Sequence, residues 1–93
     1  MRTAAKRDAN EPAIIQALER CGWFVRQLSD PDWPDLFIAR GGRRELVEVK
    51  MPGEHLSGGQ LITATKLSLF GVRVYIAHDW ETLLEDLAEG DIK

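Results

Sequence analysis

This chain of 93 residues has one cysteine, Cys21. That scarcity excludes an internal disulfide and a cysteine-based zinc site. No apolar run approaches the roughly 20 residues that a membrane-spanning helix needs, so no membrane partner is read. The opening stretch, MRTAAKRDANEP, has no apolar segment and does not read as a signal peptide. Internal repeats and low-complexity linkers are missing too. Positive charge is in short supply: 12 Lys and Arg against 15 Asp and Glu leave a net charge of −3. Taken alone, that balance argues against a nucleic-acid partner. What remains is a single small domain over residues 1–93, with the cytoplasm as its default compartment. A chain of this length buries a modest core and often oligomerises.

Punctuation and period give the elements. Asn10 is a good N-cap, Pro12 is tolerated in a first turn, and Gly22 stops the helix after about Cys21. Glu11, Ile14, Ile15 and Leu18 fall at i, i+3, i+4 and i+7, which puts Glu11 on the inward stripe. An acid at a helix start also makes a favourable contact with the helix dipole. Trp23 to Leu28 reads as a strand, and SDPDWPD as a turn-rich loop. Two further strand-like runs, Asp35 to Arg40 and Arg43 to Lys50, follow. A loop from Met51 to Leu56 leads to a helix from about Ser57 to Phe70, with Gly71 as its stop. Val72 to Ala77 is a strand, Asp79 an N-cap, and Trp80, Leu83, Leu84 and Leu87 mark a last amphipathic helix. The order α-β-β-β-α-β-α predicts an α/β architecture, a mixed (α+β) sheet with helices on both sides. The link from Lys50 to Val72 reads as a parallel crossover.

The middle of the chain carries the chemistry. Gly41-Gly42 between two strand-like runs favours a two-residue hairpin, because both central positions need positive φ. Arg40 then faces Arg43, and counting back puts Asp35 opposite Glu48. Opposed residues share a face, with Cβ atoms about 4.5–5.5 Å apart, and Lys50 returns to that face two residues on. Two adjacent carboxylates repel unless something positive lies between them. A divalent metal with oxygen ligands fills that need. Leu36 and Ile38 alternate against Phe37 and Ala39, and Val47 and Val49 against Leu46. The hairpin therefore reads as central and covered on both sides, where charges need a reason.

Pro34-Asp35, then Glu48-Val49-Lys50 after twelve intervening residues, resembles the PD-(D/E)XK nuclease signature. The flanks sharpen it. An early helix carries an acid at Glu11, and Gly22-Trp23 opens a strand. After the lysine come Met51-Pro52-Gly53, Leu56-Ser57 and Gln60, a helix ending at Gly71, and the strand Val72-Arg73-Val74-Tyr75-Ile76. That order is similar to the VRR-NUC family in its short stand-alone phage and bacterial form, over roughly Asn10 to Leu87. The resemblance implies a restriction-endonuclease-like αβββαβ core with a C-terminal helix. It also implies a DNA endonuclease in which Asp35, Glu48, the Val49 carbonyl and Glu11 hold Mg²⁺ or Mn²⁺. Lys50 would orient the attacking water or stabilise the phosphate, and Gln60 would line the cleft. Products would carry 5′-phosphate and 3′-hydroxyl ends. Branched DNA of the Holliday-junction kind is the implied substrate, and a homodimer the implied assembly.

Leu56-Ser57-Gly58-Gly59-Gln60 also spells the signature loop of ATP-binding-cassette ATPases. Those enzymes need a Walker A loop as well. None is present, so no nucleotide cofactor is read. Locally, Ser57 and Gln60 make a capping box. Arg40, Arg43 and Arg44 crown the hairpin, while Arg2, Lys6 and Arg7 cluster near the start. These make DNA binding plausible locally despite the net charge. His55 reads as a solvated loop residue or a phosphate contact, His78 as structural, and Trp33 as a core residue or a base-stacking platform. Two alternatives remain: a catalytically inactive DNA-binding or assembly subunit with the same fold, and a structural or regulatory phage protein in which the trio is coincidental.

Overall fold

In a computed structural model, which describes residues 7–91, the elements run α1 (Glu11–Arg20), β1 (Phe24–Gln27), β2 (Leu36–Arg40), β3 (Arg43–Val49), α2 (Gly58–Leu69), β4 (Val74–Ala77) and α3 (Trp80–Asp91). The strands form one sheet in the order β1-β2-β3-β4. The first three pair antiparallel, while β3 and β4 are parallel with α2 as the crossover. This is the mixed α+β arrangement read from the sequence, compatible with an αβββαβ core and a C-terminal helix. Gly41 and Gly42 adopt φ of 54° and 85°, as a two-residue hairpin requires. The turn sets Arg40 opposite Arg43 and Leu36 opposite Val47.

Two strands start later than the sequence pattern implies, for one shared reason. The Trp23 amide donates to the Leu18 carbonyl at 3.0 Å, and the Val72 amide to Leu67 at 2.9 Å. With the glycine before each of them, these bonds close the C-terminal turns of α1 and α2 in Schellman fashion. Residues that look like strand openings are committed to ending helices. At the other helix ends, Ser57 and Gln60 form the capping box, and Asp79 Oδ1 accepts from the Thr82 amide at 2.7 Å. That bond also holds the Asp79 carboxyl below its ordinary pKa. Asn10 differs. It occupies the N-cap position of α1 but its side chain makes no cap bond.

The core lies on one face of the sheet. Ile14 and Leu18 of α1 and Leu83 and Leu87 of α3 pack with Trp23 over Leu36, Ile38, Val47, Val49, Tyr75 and Ala77. Each such Leu or Ile contributes about 1.5–3 kcal/mol by leaving water. The opposite face is thinly covered. Among the described residues of α2 none is fully buried, and its half-buried stripe is Gly59, Gln60, Thr63, Ala64 and Leu67. These are mostly small or polar. The larger apolar side chains of this segment, Leu61, Ile62, Leu69 and Phe70, are 56–86% exposed. A groove of about 610 Å³, lined by Trp33, Phe37, Arg44, Leu46, Leu67 and Val72, runs beside that helix. The hairpin is thus central in the sheet, but firm cover on both faces is not found.

Candidate active site

The ladder between β2 and β3 ends at Leu36 and Val47. One step further, the same register brings Asp35 level with Glu48. The backbone there stays in order because the Leu28 amide donates to the Asp35 carbonyl at 2.7 Å. The Val49 amide donates to Asp35 Oδ2 at 2.8 Å, fixing that side chain across the end of β3. Amides along β3 alternate in direction: those of Leu46 and Lys50 point to the β4 side, reaching the Arg73 and Ala77 carbonyls, so Val49 faces the β2 side. In extended backbone a residue's N–H and C=O point the same way, and the Val49 carbonyl therefore faces Asp35's side too.

Glu48 is 3% exposed. Its Oε2 accepts from Gln60 Nε2 at 2.9 Å and lies 3.8 Å from Lys50 Nζ. Gln60 reaches it from the first turn of α2 while its Oε1 accepts from the Ser57 amide at 2.9 Å. The cap and the cleft contact are thus made by one side chain. Burial, then the negative charge of Asp35 and a hydrogen bond with it, push the Glu48 carboxyl up to about 8, against the pull of Lys50.

Asp35, Glu48, Lys50 and Gln60 open on a cleft of about 270 Å³ whose walls add Asp8, Asp30, Asp32 and Glu54. Asp32, at φ 67°, comes from the loop before β2. Its carboxylate rests against Gly59 so closely that a Cβ there would overlap it. Trp33 lines both this cleft and the apolar groove.

Glu11 is placed differently from the sequence reading. It is 1% exposed, accepts from Gln27 Nε2 at 2.9 Å, and pairs with Arg7 Nη1 at 3.3 Å. Burial raises its pKa despite both contacts. The same Arg7 nitrogen lies 3.6 Å from Asp35 Oδ1, and Nη2 donates to the Leu28 carbonyl at 2.8 Å. A guanidinium thus stands between Glu11 and Asp35 where a third carboxylate ligand was expected. Among the described residues, no three His, Cys, Asp or Glu side chains converge at metal-binding range.

The donor set nonetheless fits a hard divalent cation. Asp35 and the buried Glu48 are adjacent carboxylates whose mutual repulsion a cation would relieve, and Mg²⁺ commonly binds through one or two carboxylates with waters completing its shell.

The hairpin arginines split between faces. Arg40 lies 4.6 Å over Trp23 and donates to the Cys21 carbonyl at 3.0 Å. Arg43 lies 5.3 Å over the same ring and bonds Leu87 O and Glu45. Both belong to the core side. Arg44 is exposed on the carboxylate side and lines the groove. Arg2 and Lys6 fall outside the described residues, and His55 is exposed in its loop.

Sequence reasoning missed the contacts of two residues. Arg7 was read only as part of a basic cluster, and nothing in local pattern signals its reach to Asp35. Asn10 was read as a cap, yet its Nδ2 donates to the Lys50 carbonyl at 3.1 Å and the His78 carbonyl at 2.8 Å. Among the described residues, no helix is long and apolar enough to cross a membrane. The chain matches no protein-family model and no curated protein.

Proposed function

We propose that this chain is a Mg²⁺- or Mn²⁺-dependent DNA endonuclease, hydrolysing phosphodiester bonds, with branched DNA as substrate and a homodimer as the working form. The observation that carries this reading is the placement of Asp35 beside a buried Glu48, with Lys50 and Gln60 against that glutamate. A buried glutamate set beside a second carboxylate is costly for a domain this small unless the pair serves a cation.

Asp35 and Glu48, with the Val49 carbonyl, would hold the metal. When bound, the metal supplies Lewis-acid polarisation of the phosphate and a more acidic water. The chain's own groups do the rest. The Val49 amide fixes Asp35, and the Gln60 amide fixes Glu48. The Lys50 ammonium stands where negative charge grows on the phosphate oxygens, and it loses little by reorganising because it is already held beside Glu48. Arg44 offers a phosphate contact on the same face. The preference for branched DNA and the 5′-phosphate products rest on the resemblance to VRR-NUC nucleases. The homodimer is supported by Leu61, Ile62, Leu69 and Phe70 standing exposed.

One observation favours the alternative of an inactive DNA-binding or assembly subunit: Glu11 is paired with Arg7, whose guanidinium lies between it and Asp35. Cleavage of four-way and linear DNA in Mg²⁺ or Mn²⁺, against EDTA, decides between them. Metal-dependent nicking supports the nuclease. Metal-independent binding without cleavage supports the subunit.

A further inference from the structure

Lys50 sits one residue past the end of β3, where the sheet no longer fixes the chain on both sides. Its amide keeps one ladder bond, to the Ala77 carbonyl at 3.0 Å. Its carbonyl accepts two side-chain donors, Asn10 Nδ2 at 3.1 Å and His78 Nδ1 at 3.2 Å. His78 Nδ1 is also 3.2 Å from the Met51 carbonyl. Asn10 Nδ2 closes the ring by donating to the main-chain carbonyl of His78 at 2.8 Å. Both acceptors at His78 Nδ1 are carbonyl oxygens, which cannot donate, so that nitrogen carries the hydrogen.

We infer that Asn10 and His78 are positioning residues that clamp the Lys50 main chain and so hold its ammonium against Glu48. Asn10 serves this contact at the expense of its own helix. It stands at an N-cap, where serine or aspartate would satisfy a free amide of α1, yet its side chain makes no cap bond. Its Oδ1 is buried without a partner among the described residues. A residue that forgoes the cap and strands a polar atom is retained for its –NH₂, and that group points at Lys50 and His78. The clamp ties the start of α1 and the end of β4 to the one loop that leads out of the cleft. Small displacements of an acting group cost about 100-fold in rate.

The inference rests on the reading of Lys50 as an acting group in DNA cleavage. Its test is Asn10→Asp, which keeps the shape and can cap α1 but has no donor. Single-turnover cleavage of a four-way junction in Mg²⁺ should slow about 10- to 100-fold. The affinity for junction DNA in Ca²⁺ should stay near wild type, while the Tm falls, because a carboxylate oxygen then faces two carbonyl oxygens. Backbone amide exchange at Lys50 and Met51 should quicken. In a Lys50→Ala background Asn10→Asp should slow residual cleavage no further. His78→Ala should act likewise. His78→Asn, whose amide reproduces the Nδ1 donor, should recover most of the lost rate, and this pair decides the matter where Asn10→Asp fails to fold. Wild-type rate in Asn10→Asp, or an equal proportional loss in the Lys50→Ala background, would overturn the clamp. A wild-type protein that cleaves nothing refutes the nuclease reading instead. Exchange at Lys50 then decides the clamp alone: faster in Asn10→Asp upholds it, unchanged overturns it.

Discussion

On the α1–α3 face of the sheet, Leu18, Leu36, Ile38 and Val47 are closed off from solvent. On the α2 face a glutamate is among the most buried residues, and the large side chains of the covering helix point outwards. The first face follows ordinary packing, with apolar stripes from two helices meeting apolar strand positions. The second has small and polar residues where a core would have large apolar ones, and a wet, acid-lined cleft results. The difference puts the packed core on one side of a four-stranded sheet and the acid-lined cleft on the other. The sheet itself transmits little between them except register, which is what puts Asp35 level with Glu48.

The division breaks most sharply under substitution of the trio. Asp35→Ala, Glu48→Ala and Lys50→Ala should each lower metal-dependent cleavage by about 10²–10³-fold or more. Circular dichroism should show the fold intact, and a variant that cleaves at near wild-type rate sinks the proposed site. The converse test is on the core face. Leu18→Ala should lose about 2–5 kcal/mol by opening a cavity, whereas Leu61→Ala should stay within about 0.5 kcal/mol. Equal losses in urea unfolding would show that α2 is packed far more tightly than described.

A pH scan sharpens the comparison further. The folded protein raises the Glu48 carboxyl from 4.5 to about 8 and so binds its proton more tightly than the unfolded chain does. The stability this gives is full below pH 4.5 and is lost as pH rises through about 8. In metal-free buffer the Tm should fall between pH 5 and pH 9. Glu48→Gln should flatten that slope and gain about 1 kcal/mol at the alkaline end, roughly 4–8 °C for a domain this size. A slope untouched by Glu48→Gln would mean the pair is better hydrated than its burial implies. The smallest effect concerns the arginines. Arg44→Ala should reduce the slope of log affinity against log salt by about 1. Arg40→Ala, which loses its place over Trp23, should chiefly lower stability. An unchanged salt slope in Arg44→Ala would move the DNA path off this face.

Element order, hairpin register and the pairing of Asp35 with Glu48 were legible because each depends on local rules. Two glycines fix a turn, and side chains alternate along a strand. The capping box at Ser57 and Gln60 was legible for the same reason. The starts of β1 and β4 were misjudged because Trp23 and Val72 have strand-like side chains while their amides finish helices. Asn10 and His78 were opaque because their partners lie far away in sequence, as do Arg7's at Leu28 and Asp35, and no pattern in a single chain encodes such reach; only Arg7–Glu11 is a local i,i+4 pair. Glu11 was correctly read as inward-facing, but its neighbour was not foreseen. A helical period says which way a side chain points and nothing about what meets it there.

The closeness of Asp32 to Gly59 makes the resting place of one cleft carboxylate depend on a missing methyl group. The loop before β2 and the first turn of α2 touch there, carboxylate against Cα. A side chain at position 59 would push that carboxylate aside, and Asp32 is exposed and free to turn. Of the two glycines in the LSGGQ stretch, Gly58 has open space around it while Gly59 leaves the room in which one acid of the cleft rests.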